Sequence, residues 1–305
     1  MLLTALSPIF AIILIGFLVS RLPVLSPTVW SELEKLTYYV FFPALLILRL
    51  SESNFNWQEI GQIGGVIGLP LLVITILFVG LRKLIAADVA SLSSVYQGTI
   101  RFNTYIGLAL IDAIYGDRGL TLAALCLAVY IPLVNVLSVV SLSWQGEGGA
   151  KRFFLIIGAV VSNPLVLACG AGLFISYIGF GIPTLVVEIL DILSQPALPM
   201  GLLAVGAGIR FISFGEQSWQ LVVAVSNKQF IFPALVLASC LLFEVDGLLG
   251  TSLLLLSCLP SPPSAYILAR QLGGNVSLMA NIITVQTLTA FLMIPVWIEL
   301  AERFL

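Results

Sequence analysis

Long apolar runs separated by short polar links set the pattern of this chain from its first residues. Residues 2–20 carry no charge and show no alternation of polar and apolar positions. A helix needs about 20 apolar residues to cross a bilayer. In lipid the backbone allows only helices or a closed barrel, and continuous rather than alternating runs exclude the barrel. The pattern predicts ten helices, over residues 2–20, 33–50, 60–81, 89–115, 120–144, 153–178, 184–208, 219–243, 248–271 and 276–301. The link 145–152 is the most hydrophilic stretch, with Gly146, Gly148 and Gly149. The first run is read as a helix rather than a cleaved signal, because no positive segment precedes it.

Composition sharpens this into an all-α polytopic membrane protein. The chain is 60% hydrophobic and 9% charged, against roughly 25% charged residues in soluble domains. A net charge of −2 suggests neither a nucleic-acid partner nor a polybasic lipid anchor. Cys126, Cys169, Cys240 and Cys258 all fall in apolar runs and read as buried small residues. With no histidine, no disulfide framework, zinc site or other cofactor is expected. The same absence removes Ser-His and zinc-peptidase chemistry. An aspartyl dyad would have only Asp112 and Asp191 to draw on, so an enzyme is not expected. No nucleotide-binding GxxxxGK[ST] loop is present.

Charge asymmetry orients the chain. Arg21, Lys35, Arg82, Lys83, Lys151, Arg152, Arg210 and Arg270 flank one set of loops, whereas Arg49, Arg118 and Arg303 flank the other. The positive-inside rule puts the richer side in the cytoplasm. Both termini then lie outside the cytoplasm of a multi-pass cell (inner) membrane protein, and the 145–152 linker lies inside.

Two halves meet at that linker. Pro43-Ala44-Leu45 in helix two matches Pro196-Ala197-Leu198 in helix seven, each after an acidic residue, Glu34 or Glu188. Pro70 and Pro233 mark helices three and eight, and helices four and nine are the most interrupted of each half. Residues 1–144 and 153–305 therefore read as two five-helix repeats, the second inverted. Inverted repeats with paired broken helices point to a binding site at the midplane. The plainer reading is that prolines are common in membrane helices.

The broken helices carry the candidate chemistry. In helix four, Gly98 suits a left-handed cap and Asn103 suits the N-cap of a second half-helix. Between them Arg101 sits near mid-span, where a charge normally faces a partner or a wet cavity. A guanidinium beside a helix N-terminus makes an anion site, with Asn103, Thr104 and Tyr105 around it. In helix nine, Pro260, Pro262 and Pro263 cannot sit in a continuous helix. Ser261 suits an N-cap there and Pro262 the first helical position, with Ser264 beside them as an opposing wall. An ion pair with Asp112 or Glu188 is the structural alternative for Arg101. Lys228 is a second candidate cation, or else snorkels or forms an ion pair. Asn135, Gln286 and Thr287 read first as interhelical hydrogen-bonding groups, and Asn135 and Gln286 are also counted as candidate substrate ligands. Gly64 and Gly68 read as close helix packing.

Several of these segments occur in a recognisable order: Ser7-Pro8-Ile9-Phe10, residues 36–46 ending in Phe42-Pro43-Ala44-Leu45-Leu46, and Arg101-Phe102-Asn103-Thr104-Tyr105. Asn163-Pro164-Leu165, Leu198-Pro199-Met200-Gly201, Ala265-Tyr266-Ile267-Leu268-Ala269 with Gly273-Gly274, and Gln286-Thr287 follow. In them the chain resembles the auxin efflux carrier family, as a bacterial member of the bile acid/sodium symporter-like superfamily, over nearly its whole length. The resemblance implies ten helices with broken, crossing helices 4 and 9. It implies a dimerising scaffold of helices 1, 2, 6 and 7, and a transport unit of helices 3–5 and 8–10 that moves as an elevator. Family substrates are organic anions, and the family's crossover Asn falls on Asn103. Plant members carry proline at both crossovers and a long cytoplasmic loop. Here helix four has no crossover proline and the loop is 145–152, so indole specificity and loop-based regulation are not carried over. The expectation is a homodimeric secondary transporter of small organic anions, embedded in lipid, with Na+ or H+ coupling open. An anion channel or a membrane sensor on the same fold is the alternative.

Overall fold

The computed structural model describes residues 2–23, 25–53, 55–86, 88–142, 157–158, 161–179, 181–210 and 217–305, and among them every regular element is helical. The linker 145–152 and the helix ends beside it lie outside the described residues. In chain order the elements are α1 (Leu2–Val19), α2 (Pro27–Leu36), a π-turn π1 (Thr37–Phe41), α3 (Phe42–Ser51), α4 (Trp57–Gly80), α5 (Arg82–Ile85), α6 (Val89–Ile100) and α7 (Thr104–Leu142). Then come α8 (Pro164–Ile178), α9 (Thr184–Ser194), α10 (Ala197–Gly208), α11 (Ser218–Ser226), a second π-turn π2 (Asn227–Ile231), α12 (Phe232–Leu242), α13 (Gly247–Cys258), α14 (Ser264–Leu272) and α15 (Val276–Phe304).

Local chemistry explains most ends. Ser26-Pro27 starts the second predicted helix six residues earlier than its apolar run, because proline suits a first helical position. Asn163 caps α8 by accepting the Leu165 and Val166 N–H groups at 2.9 and 3.3 Å, and Gly179, at φ 68°, closes it. The predicted helix 184–208 is split at Gln195-Pro196 into α9 and α10. Within α7, Gly116 adopts φ 61° and ψ −156°, a conformation open to glycine alone, and divides the predicted fourth helix from the fifth. Each π-turn stands just before a Phe-Pro pair. Pro43 and Pro233 lack an N–H, and their rings would strike the carbonyl four residues back in a regular helix. The wider turn relieves this: Phe42 N–H reaches the Thr37 carbonyl, and Phe232 N–H reaches that of Asn227, each five residues back.

The chain folds as two compact units. One comprises Met1–Ile60, Thr104–Ile131 and Val161–Gly208, and the other Gly61–Asn103, Pro132–Val160 and Ile209–Leu305. In the first, α1 packs on α10 and α3 on α8. Gly16 and Gly206 make the α1–α10 crossing so close that a Cβ on either would fall on a backbone carbonyl, that of Leu203 or of Ile13. Arg49 pairs with Asp117 at 2.7 Å in the same unit. In the second unit, α6 packs on α11 and α15, and α13 on α12 and α15. The Thr75 and Tyr96 hydroxyls join α4 to α6 at 2.7 Å, and Trp219 donates its indole N–H to the Leu84 carbonyl at 2.9 Å.

The second unit is polar within and apolar without. Ser91, Ser93, Ser94, Gln97, Thr99, Ser252 and Ser257 are buried, whereas Leu72, Ile76, Leu242 and Leu292 are 57–69% exposed. Water would not tolerate that arrangement, but lipid tails do. Among the described residues, five helical stretches are long and apolar enough to cross a membrane: Trp57–Gly80, Val89–Leu142, Thr184–Gly208, Ser218–Leu242 and Val276–Phe304. Leu6–Val19, Pro164–Ile178 and Gly247–Cys258 are shorter apolar helices. All four cysteines are buried.

Candidate functional site at two helix breaks

Two helices of the second unit stop short of a full span. α6 ends at Ile100, and Arg101 turns extended at φ −77° and ψ 152°, its N–H still donating to the Gln97 carbonyl at 2.9 Å. α13 ends at Cys258, and Leu259 turns extended at φ −68° and ψ 148°. The two extended segments meet where Asn103 N–H donates to the Pro260 carbonyl at 2.7 Å. Pro260, Pro262 and Pro263 account for the second break by their missing N–H groups.

The first break has no proline and is held from α15. The buried Gln286 amide donates to the Gly98 carbonyl at 2.8 Å and to the Ala224 carbonyl at 3.2 Å. Its oxygen accepts the Ser261 N–H at 2.9 Å, and the Ser261 hydroxyl also donates to the Gly98 carbonyl, at 3.0 Å. One side chain therefore satisfies backbone groups released by both breaks.

Two local expectations are corrected. Gly98 lies inside α6 and is not left-handed; its missing Cβ instead admits Ile282, whose Cγ2 would stand 2.8 Å from that atom. Ser261 does not cap a helix, because α14 begins at Ser264 with Pro263 before it, and the Ser261 hydroxyl is committed to Gly98. Proline fits a first turn wherever it stands there, so the Pro262-Pro263 pair left the start ambiguous.

Arg101 is half-buried. Its Nη1 donates to Asn135 Oδ1 at 3.2 Å and its Nη2 to Ser264 Oγ at 3.3 Å. With its oxygen turned to Arg101, the Asn135 amide has a buried Nδ2 with no acceptor among the described residues. The Pro262 carbonyl accepts the Ala265 N–H at 3.0 Å, starting α14 beside Ser264. A guanidinium and a donor-bearing amide thus stand together at a helix break, a pairing suited to a carboxylate.

The remaining candidates are placed as follows. Asn103 directly precedes α7, as an N-cap would, and the boundary between the units falls after it. Thr104 and Tyr105 belong to the first unit, where the Tyr105 ring lies 4.5 Å from that of Phe42. Gly201 makes room for that pair, since a Cβ there would meet Tyr105 Cγ at 2.8 Å. Asp112 and Glu188, considered as partners for Arg101, also belong to the first unit. Lys228 lies on π2, fully buried, with no hydrogen bond or ion pair among the described residues and the Phe232 ring at 5.3 Å. Sequence reasoning passed over Gln97, one turn before the α6 break. It is fully buried, and both its amide atoms lack partners among the described residues. A lone amide in an apolar span was the available signal.

Residues 1–298 match the family described as membrane transport protein. The chain belongs to this family, the auxin efflux carrier family. It is a family of transporters and not of enzymes, so the chain is a multi-pass membrane protein. A relative from Methanocaldococcus jannaschii, named "uncharacterized transporter", is 22% identical over 302 residues and 95% of each chain. A relative from Rhizobium meliloti, named "putative malonate transporter", is 22% identical over 311 residues and 93% of each chain. Family membership gives the helix breaks a context: polar groups buried in a membrane transporter are expensive, and they persist where a solute or ion is handled.

Proposed function

We propose that this membrane transport protein is a secondary transporter of small carboxylates, which bind at the helix breaks of its second unit. The observation that carries the reading is the side-by-side placement of the Arg101 guanidinium and the Asn135 Nδ2, which has no acceptor among the described residues. Arg101 offers a bidentate fork and Asn135 a neutral donor, with Asn103, Ser261, Pro262 and Ser264 shaping the walls. Gln286 holds the breaks in place behind them. Thr104 and Tyr105 follow Asn103 at the start of α7, with the Tyr105 ring packed on Phe42. The malonate named for one relative is the first substrate to try.

In this reading ten helices form two inverted halves with both termini outside the cytoplasm, two copies pair, and alternating access is of elevator type with the second unit as the moving body. Its support is that Arg101, Asn135, Ser261, Ser264 and Gln286 all belong to one compact unit.

The test is charge movement in proteoliposomes on a solid-supported membrane, with malonate, malate, lactate, succinate and indole acetate, each with and without sodium. A saturable current is expected with at least one acid. Arg101→Ala should raise its half-saturating concentration about ten- to a hundredfold, the worth of a charged hydrogen-bond pair. Arg101→Lys should fall between, keeping charge but losing the fork. Unchanged affinity in folded Arg101→Ala protein would remove the assignment, and flux that never saturates would mean a channel.

A further inference from the structure

Gln97 is fully buried on α6, and neither its Oε1 nor its Nε2 has a hydrogen-bond partner among the described residues. A side-chain amide accepts at its oxygen and donates from its nitrogen, and buried groups of this kind are nearly always paired. Its place on the helix says what could pair with it. Arg101 leaves the helix through its ψ alone: its φ of −77° is helical, and its N–H still reaches the Gln97 carbonyl at 2.9 Å. The Arg101 Cβ therefore stands where the next helical turn would put it, about 5–6 Å from that of Gln97 on the same face. The amide and the guanidinium rise side by side at the break where Arg101 meets Asn135 and Ser264.

Their chemistry differs. The Arg101 guanidinium and Asn135 Nδ2 are donors only, which suits an ionised carboxylate. Gln97 sets an acceptor beside a donor. Against a second ionised carboxylate its Oε1 would stay buried with no hydrogen to accept, which is costly. A protonated carboxyl satisfies both atoms: its O–H donates to Oε1, while Nε2 donates to its carbonyl oxygen. A carboxamide does the same through its own N–H. Charges around α6 are few. Asp88 caps its start, Tyr96 bonds to Thr75 of α4, and Glu59 lies in the first turn of α4. Of the elements packed on α6, α11 carries no titratable group, π2 brings Lys228, and α14 brings Tyr266 and the exposed Arg270. On α15, Glu299, Glu302 and Arg303 are exposed near its end.

We propose that Gln97 selects the second end of the substrate: the site takes an acid with one ionised carboxylate, held by Arg101 and Asn135, and one neutral protonated carboxyl or carboxamide, held by Gln97. A dicarboxylic acid is then carried as its hydrogen monoanion. This rests on the carboxylate reading above and deepens it, naming the charge state of the substrate.

The experiment uses the full chain in proteoliposomes at equal pH on both sides. The probes are labelled malonate, malate and succinate, the monoamides malonamate and succinamate, and isosteres in which isopropyl replaces the carboxamide. For the diacids, the half-saturating total concentration should rise about tenfold per pH unit above the acid's second ionisation, because only the monoanion binds. The monoamides should show no such rise, which separates ionisation of the substrate from titration of Lys228 or Tyr266. Wild type should prefer each monoamide to its isostere by about tenfold or more, the worth of two buried hydrogen bonds. Gln97→Leu should erase that preference, whereas a merely structural role would weaken monoamide and isostere alike. If the variant does not fold, the wild-type pH profile and monoamide preference still decide. Diacid affinity that is flat or improves as pH rises overturns this inference and leaves the carboxylate reading standing. So does a monoamide preference kept in folded Gln97→Leu protein, or uptake confined to lactate or indole acetate. No uptake of any of the five acids removes the carboxylate reading, and this inference with it.

Discussion

Gln286 joins the two helix breaks with a single amide, and its loss has a calculable cost. In Gln286→Leu, the Ser261 N–H loses its partner, while the Gly98 carbonyl keeps the Ser261 hydroxyl and the Ala224 carbonyl keeps the Asn227 N–H. Each buried polar group left unsatisfied costs about 1–3 kcal/mol. Thr287→Val is the control, because the Thr287 hydroxyl donates only to the Ile283 carbonyl of its own helix, at 2.7 Å. Thermal unfolding in detergent should show a clear drop for Gln286→Leu and little for Thr287→Val; equal melting points would mean the clamp is unimportant. Asn135 makes a second prediction. Asn135→Asp sets a carboxylate against Arg101 and should weaken malonate binding at least about tenfold, more than Asn135→Ala does. Half-saturation of the transport current reads this directly. Arg101 and Asn103 were legible in the sequence because a polar group in an apolar run stands out locally. The clamp was not, since Gly98, Ala224 and Ser261 meet Gln286 from distant parts of the chain.

At the level of elements, close helix crossings and proline-driven turns set the geometry. A Cβ at Gly206 or Gly16 would meet backbone, which cannot move aside, whereas one at Gly98 would meet the flexible Ile282 side chain. Gly206→Ala should therefore destabilise by about 1–3 kcal/mol or more, as overpacking does, and Gly98→Ala by less. The fraction of each variant surviving a heat step in detergent ranks them, and the reverse order would show that the α1–α10 crossing can open freely. Apolar runs placed most helices to within a few residues, because span length is written in composition. They missed the split at Gln195-Pro196, because membrane helices often absorb a proline. They also set the α14 start too early, because either proline of the pair could begin it.

For the molecule as a whole, the proposed orientation rests on the Lys and Arg distribution alone. Alkaline phosphatase fused after Leu305 should be active in a bacterial host, and green fluorescent protein fused there should be dark. The opposite pattern would reverse the assigned topology. The division into two units was not legible in the sequence. The residues 104–131 fall with the N-terminal helices, although the pattern groups helix four as one span. Compactness depends on which faces meet, and a list of spans does not specify that.

The sequence by itself determined that this chain is helical, lives in lipid and breaks near Arg101 and Pro260. Run length, a misplaced charge and missing N–H groups are local properties, and local properties can be read along a chain. Only the tertiary structure decided that Gln286 serves both breaks, through partners 25 and 188 positions away. It alone turned the Asn135 amide toward Arg101 and buried Lys228 completely. Those arrangements arise when helices pack and released backbone groups must find donors and acceptors wherever the fold brings them.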